Sequence, residues 1–261
     1  MTVSKSSIKL MTFLILIISG CKNLDKSSST SELYSASISF KEGPGSILRV
    51  TDPGAGPHSS KLWTWEKWRS RELLKAQLLG AGWIYGHDAA RHLSHYFGNS
   101  GEELQIDAKR FFHECPEARS LYLKWLNSAF ERVNQLPEGQ HEFSLTGNVS
   151  GACEKEDSIN WYYATGGFNV YFRGLAYVDG RVSPTWRTLT FVSEYYDRYN
   201  WDVGDSFVIN NTETRESNMG EFHLMGLARE YDLSGEYIEN FTWRDNQGFD
   251  ALKEQLDIKR K

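Results

Sequence analysis

The chain has 261 residues and a formal net charge of −5, with 29 Lys and Arg against 34 Asp and Glu. An acidic excess of this kind excludes nucleic acid as a partner, because neutralising phosphates takes clustered Lys and Arg. It also speaks against a domain that lies flat on anionic lipid.

In chain order, the first signal is an address. Lys5 and Lys9 precede an apolar run from Met11 to Ile18, broken only by Thr12, and Ser19-Gly20 then leads into Cys21. That is the order of a secretory signal peptide, and the run is too short for a permanent membrane span. A cysteine directly after Ser19-Gly20 resembles a bacterial lipobox. The resemblance implies cleavage before Cys21 and attachment of lipid, palmitate included, to that residue. Residues 1–20 are therefore read as a lipoprotein signal peptide, and the mature chain as one held to the membrane of the bacterial cell envelope through its lipid anchor. Lys22, not aspartate, follows Cys21, which in lipoproteins of this kind implies the outer membrane.

Residues 21–60 read as a flexible tether. Ser27-Ser28-Ser29-Thr30-Ser31 is polar, and Gly43-Pro44-Gly45 and Pro53-Gly54-Ala55-Gly56-Pro57 are repeated breakers. Ile47 to Val50 is a candidate edge strand within it. From residue 61 to 139 the apolar positions recur at helical spacing, first Leu73, Ala76, Leu79 and Gly80, then Ala89, Leu93, Tyr96 and Phe97. Gly98-Asn99-Ser100-Gly101 supplies a C-cap and turn, Asp107 an N-cap, and Pro116 the first turn of a helix that runs to about Gln135.

From residue 140 to 245 the period shifts toward two. Phe143, Leu145 and Val149 alternate with polar residues, and Trp161 to Tyr177 is aromatic with a strand-like centre at Asn169-Val170-Tyr171-Phe172. Val178-Asp179-Gly180-Arg181 reads as a hairpin turn. Thr185 to Tyr196, Phe207-Val208-Ile209 and Leu233 to Trp243 read as further strands. Asn218 to Glu230 returns to helical spacing through Met219, Phe222, Met225 and Leu227. Residues 246–261 form a charged tail with a loose helix. The fold class is α+β: an N-terminal helical part, then a curved, half-barrel-like antiparallel sheet with one crossing helix.

Once Cys21 is lipidated, only Cys115 and Cys153 remain, in a compartment where disulfides persist. They are either one bridge, worth about 3–4 kcal/mol in the chain-entropy model, or two buried thiols. Asp88, His92 and His95 share a helix face at metal-ligand spacing. The apolar stripe Ala89, Leu93 and Tyr96 sits one residue away, so the trio reads as a solvated flank and no metal is assigned to it. Asp197, Asn200, Asp202 and Asp205 crowd a strand end, but Tyr199 and Trp201 occupy the alternate positions a calcium loop needs. Around Asp197 the aromatics Tyr195, Tyr196, Tyr199 and Trp201 form an apolar wall of the kind that raises a carboxyl pKa.

Several stretches together resemble colicin M-type bacteriocin domains. They are Arg91-His92-Leu93-Ser94-His95-Tyr96-Phe97-Gly98-Asn99-Ser100-Gly101, Trp161-Tyr162-Tyr163-Ala164-Thr165-Gly166-Gly167-Phe168, Asp197-Arg198-Tyr199-Asn200, Gly226-Leu227-Ala228 and Tyr231-Asp232-Leu233-Ser234-Gly235. The resemblance implies a fold whose members cut the lipid-linked peptidoglycan precursor, using magnesium and an Asp-x-Tyr-Asp-x5-His-Arg motif. Asp197 and Tyr199 match that motif, Asn200 replaces its second aspartate, and Ser206-Phe207 replaces its His-Arg pair. Asparagine can serve neither as a carboxylate base nor as an equal charge opposite a metal. His223 and Arg229 are the candidate displaced replacements.

Two functions follow as expectations. One is a non-catalytic binding module that presents Trp161, Tyr163, Tyr171, Trp186 and Trp201 on an aromatic sheet face to another envelope protein, a lipid or a glycan. The other is a phosphodiesterase-like hydrolase of a lipid-linked pyrophosphate such as a peptidoglycan precursor. That reading needs Asp197 beside His223 or Arg229 in an open cleft, and Mg2+ enters with it.

Overall fold

The computed structural model describes residues 39–49, 52–201, 206–209 and 212–256. The signal segment, Cys21, Asp202 and Asp205 lie outside the described residues.

The chain enters through a short edge strand, β1 (Phe40–Glu42), and two helices, α1 (Trp65–Tyr85) and α2 (His87–Gly98). Helix α2 stops where Asn99 takes a left-handed conformation at φ 64° and its N–H bonds to Tyr96 O, the turn that Gly98 to Gly101 announces. Strand β2 (Leu104–Gln105) follows, then α3 (Ala108–Glu114) and α4 (Pro116–Asn134). Asp107 caps α3 by accepting from the Arg110 amide, and Pro116 opens α4 where its missing N–H costs nothing.

The second half holds β3 (Gly139–Leu145), β4 (Val149–Ala152), α5 (Ile159–Ala164), β5 (Gly167–Asp179), β6 (Trp186–Tyr199), β7 (Ser206–Ile209), β8 (Thr212–Arg215), α6 (Glu216–Leu224), β9 (Tyr231–Arg244) and α7 (Asp250–Gln255). Seven strands form one sheet in the order β1-β3-β5-β6-β9-β2, with β4 also on β5. All pairings in it are antiparallel except β2 on β9. The sheet is open, and β7 and β8 form a separate hairpin. The architecture is α+β, although the helices do not all come first: α5 and α6 are interleaved with the strands, in place of one crossing helix, and α7 follows them in the tail.

Alternation along the three long strands decides what is core. The odd positions of β6 and β9 (Leu189, Phe191, Tyr195, Phe241, Trp243) and the even positions of β5 (Phe168, Val170, Phe172) are buried. Helices α3 and α4 cover this face through Phe111, Phe112, Tyr122, Leu126 and Phe130. Phe111 meets the rings of Trp161, Phe168 and Tyr195 edge-on at 4.8–5.3 Å, the geometry aromatic pairs prefer. On the opposite face Leu175, Tyr177, Trp186 and Ile238 are exposed.

Several sequence expectations need correction. Residues 47–49 form no strand; instead β1 pairs with β3. The segment beyond it is tied down by side chains, Ile47 N to Glu194 Oε2 at 3.0 Å and Leu48 N to Asn148 Oδ1 at 2.9 Å. The described part of the expected tether is therefore packed on the domain. Within the aromatic stretch from Trp161 to Tyr177, Ile159–Ala164 is helical and the strand, with its centre at residues 169–172, begins at Gly167. The β5–β6 hairpin closes through residues 180–185, with a cis Ser183–Pro184 bond, and is longer than an Asp-Gly turn. Helix α6 ends at Leu224, so Arg229 and Glu230 lie in the connection to β9. The tail is not wholly loose, since Leu252 and Leu256 are buried.

Candidate functional site

Strand β6 carries Asp197 and Tyr199 two residues apart, so both belong to its helix-covered face while Arg198 points to the other. Tyr199 is buried and stacks on Tyr231 at 5.0 Å, with His92 edge-on at 6.1 Å and Tyr96 at 6.0 Å. Asp197 is partly covered by side-chain packing. Its carboxyl accepts from the Arg198 amide, yet burial holds its pKa well above the usual carboxylate range and the charge of Asp52 adds to that rise. Across the ladder it faces Leu233, and Tyr199 faces Tyr231, so the neighbouring strand brings it no cation. Next in the chain, Asn200 is half-buried, and its Nδ2 finds no hydrogen-bond partner among the described residues. Ser206 opens β7 in the separate hairpin.

The two candidate replacements are occupied elsewhere. His223 donates from Nε2 to Gly56 O at 2.8 Å and accepts the Glu230 amide at Nδ1 at 3.0 Å. That pair of bonds fixes the neutral imidazole, and burial lowers its pKa accordingly. Arg229 donates from Nη1 to Ser100 O at 3.2 Å, and its amide bonds to Tyr96 O at 3.0 Å. Both residues clamp loops to α2 and α6.

A charged cluster that the sequence reading did not single out lies beside them. Glu230 is 2% exposed. Its Oε1 accepts the amides of Ala55 at 3.0 Å and Trp201 at 3.3 Å. Oε2 stands 4.0 Å from both Arg198 Nη2 and His223 Nε2, without a hydrogen bond among the described residues. Burial pushes this carboxyl up, against the pull of the two amides and Arg198. Arg198 itself bonds Asp232 at 2.8 Å. Gly54 makes the enclosure feasible: it sits at φ +51°, and a Cβ there would fall 2.1 Å from Glu230 Oε2. The loop is closed further by His58, whose Nε2 lies 3.0 Å from Asn99 Oδ1 and whose ring lies 5.1 Å from that of His223. The available signal was Pro53-Gly54-Ala55-Gly56-Pro57, which local composition alone assigns to a linker.

The helix trio is not a solvated flank. Asp88 is buried and takes Arg110 at 3.0 Å and Asn160 at 2.7 Å. His92 is buried, donates from Nδ1 to Ala164 O at 2.7 Å, and has its pKa lowered to about 4 by burial. His95 donates to Glu102 O at 2.8 Å. Among the described residues no group of three His, Cys, Asp or Glu side chains is placed to hold a metal ion. Beside Asp197, Asn200 offers a neutral amide oxygen where the motif has its second aspartate, and Asp52 is the carboxylate whose charge reaches it. A surface depression of about 420 Å³ on α2, lined by Arg91, Ser94, His95, Gly98, Ser100 and Leu104, contains none of the motif residues.

The five aromatics expected on one sheet face are dispersed. Trp161 is buried on α5 with its Nε1 on Glu114 at 3.0 Å, and Tyr171 is buried with its hydroxyl on Leu145 O at 3.0 Å. Tyr163 is on α5 and packs on Tyr162, and Trp201 packs against Tyr96 and Tyr199. Trp186 alone of the five is exposed, with the Arg244 guanidinium 4.8 Å from its ring. Cys115 and Cys153 form a disulfide with Cα atoms 5.6 Å apart, joining the start of α4 to the end of β4.

No protein-family model matches the chain, and no curated protein sequence matches it. Among solved structures it is similar to PaeM, a colicin M-like bacteriocin produced by Pseudomonas aeruginosa. That match has 14% identity and a TM-score of 0.33, over 61% of this chain and 52% of that one. It is also similar to truncated bacteriocin syringacin M from Pseudomonas syringae pv. tomato DC3000, at 15% identity and a TM-score of 0.28, over 60% of each chain. The chain thus spans between about half and three-fifths of the length of these neighbours.

Proposed function

We propose that the protein is a lipid-anchored lipoprotein of the bacterial outer membrane whose domain is a binding module on a colicin M-like scaffold and not a catalyst. One observation carries this reading: both ring nitrogens of His223 are spent on backbone groups, and Arg229 is drawn to Ser100 O. Asp197 is left opposite Leu233, with Asp52 as the charge that reaches it. A carboxylate that is to act on a pyrophosphate needs a cationic or imidazole partner in reach, and Asn200 stands in place of the motif's second aspartate. The binding surface shifts accordingly from the expected aromatic set to the open sheet face of Leu175, Tyr177, Trp186 and Ile238, with another envelope protein as the partner. Anchoring rests on the Ser19-Gly20-Cys21 signal.

The hydrolase reading keeps one supporting observation, the raised pKa of Asp197, which suits a general acid. The test is turnover of purified lipid II with magnesium by the full chain, beside Asp197→Ala. The binding reading expects no turnover by either protein. Turnover by the wild type that is lost in Asp197→Ala would overturn it and restore the hydrolase.

A further inference from the structure

The start of α1 and the residues leading into it carry a surface that neither the core nor the reading above uses. Leu62, Trp63 and Trp65 are 93%, 55% and 65% exposed, and Trp68 and Leu73 are exposed beside them. Trp65 and Trp68 stack on each other at 4.7 Å and 16° on the outer side of the helix. The inner side is fastened down: Lys67 pairs with Glu221 on α6, Arg71 bonds Leu227 O, Phe97 O and Glu72, and Leu74 packs on the core. Three exposed tryptophans in six residues are therefore held on a rigid support. They are not a frayed end.

Charge says what covers them. Residues 61–75 contain Lys61, Lys67, Arg69, Arg71 and Lys75 against Glu66 and Glu72, a local excess of positive charge on a chain that is acidic overall. Lys61, Arg69 and Lys75 form no ion pair among the described residues. Tryptophan rings flanked by Lys and Arg match a membrane–water interface, where the amphipathic ring sits at headgroup level and the cations meet anionic lipid. A protein partner would also take Trp and Arg, but Lys is depleted at such interfaces, whereas Lys61 stands exposed beside these rings.

We infer that the surface of Lys61, Leu62, Trp63, Trp65, Trp68 and Arg69 lies on an anionic lipid bilayer and sets the orientation of the domain at the membrane. The net acidic charge of the chain does not preclude this, because screening confines the interaction to the charges nearest the lipid. The inference goes beyond the binding reading and does not depend on it.

The test is tryptophan fluorescence of the full chain carrying Cys21→Ser, on phosphatidylglycerol–phosphatidylcholine vesicles with brominated or unbrominated acyl chains. Bromine quenches only tryptophans that reach the acyl boundary. The expected result is a bromine-dependent loss of emission in proportion to three of the nine tryptophans. The loss should vanish in Trp63→Ser/Trp65→Ser/Trp68→Ser and in Lys61→Glu/Arg69→Glu, which keeps every tryptophan. Equal quenching in wild type and the triple serine variant, or none in the wild type, would overturn the inference. So would tryptophans already shielded from acrylamide without vesicles, which would assign the surface to a second copy or to residues 1–38. Lipid II turnover has no bearing on any of these outcomes.

Discussion

Replacing Glu230 tests whether the loop of residues 52–58 is held by one buried carboxylate. Glu230→Ala removes the acceptor for the amides of Ala55 and Trp201. A buried donor left without a partner costs about 1–3 kcal/mol. Ala55 and Trp201 are only partly buried, so water reaches them in part and the pair should cost about 2–3 kcal/mol. Glu230→Gln keeps an oxygen in the place of Oε1 and should stay within about 1 kcal/mol of the wild type. Its effect should also depend on pH. The folded carboxyl has a pKa raised above 4.5, so above that pH the folded state binds more protons than the unfolded chain. Wild-type stability attributable to this group therefore falls as pH rises from 4.5 through the folded pKa. Glutamine does not titrate, so Glu230→Gln should gain relative to the wild type between pH 4 and pH 8. Urea unfolding of the three proteins at both pH values reads these differences. The reasoning fails if Gln is as costly as Ala at both, since the charge opposite Arg198 would then matter more than the two amide bonds.

His92 should give a pH dependence of the opposite sign. Its folded pKa is lowered to about 4, so the unfolded chain protonates first on acidification. Stability should fall by about 3 kcal/mol between pH 6.5 and pH 4 through this group. In His92→Gln that fall should be missing, and a parallel acid profile in urea titrations would refute the assignment. Replacing Cys115 and Cys153 by serine together opens a loop with a sequence separation of 38, for which chain entropy gives a loss of about 4 kcal/mol. A change in urea midpoint worth under about 1 kcal/mol would show that the unfolded chain is already restrained there.

Much of the helical half could be read locally, because its boundaries are made by local chemistry. Asp107 accepting the Arg110 amide, Pro116 at the first turn of α4 and Asn99 at φ 64° are each decided within four residues. The long strands could be read for the same reason, through alternation in Phe168 to Phe172 and Leu189 to Tyr195. Trp161-Tyr162-Tyr163 defeated the period because three consecutive aromatics suit a strand and a helix equally. What selects the helix is distant, Trp161 Nε1 reaching Glu114 and the ring meeting Phe111. The Pro53 to Pro57 run reads as a linker for a related reason. Its order comes from Glu230 and His223, more than 150 residues away in sequence, and no local pattern encodes that contact. Glu230 closes a run of helical spacing in the sequence, which hides its role as a buried acceptor.

The alternation that made β6 legible also explains why its motif residues stand without a cation. In the ladder with β9, Asp197 is opposite Leu233 and Tyr199 is opposite Tyr231, while Arg198 is opposite Asp232. A period of two sends the first pairs to one face and the last to the other. Arg198 and Asp232 are thus collected on the face away from Asp197, while Glu230, which precedes β9, takes the amides of Ala55 and Trp201 and gives its own to His223. A side chain cannot cross a hydrogen-bonded sheet to repair this. To give Asp197 a cation, the substitution would have to fall at an odd position of β9 or on α2, where Leu233, Tyr231 and His92 now fill the space. Aromatic packing has claimed the positions from which a partner for Asp197 could have come, and the charge that remains serves to close a loop.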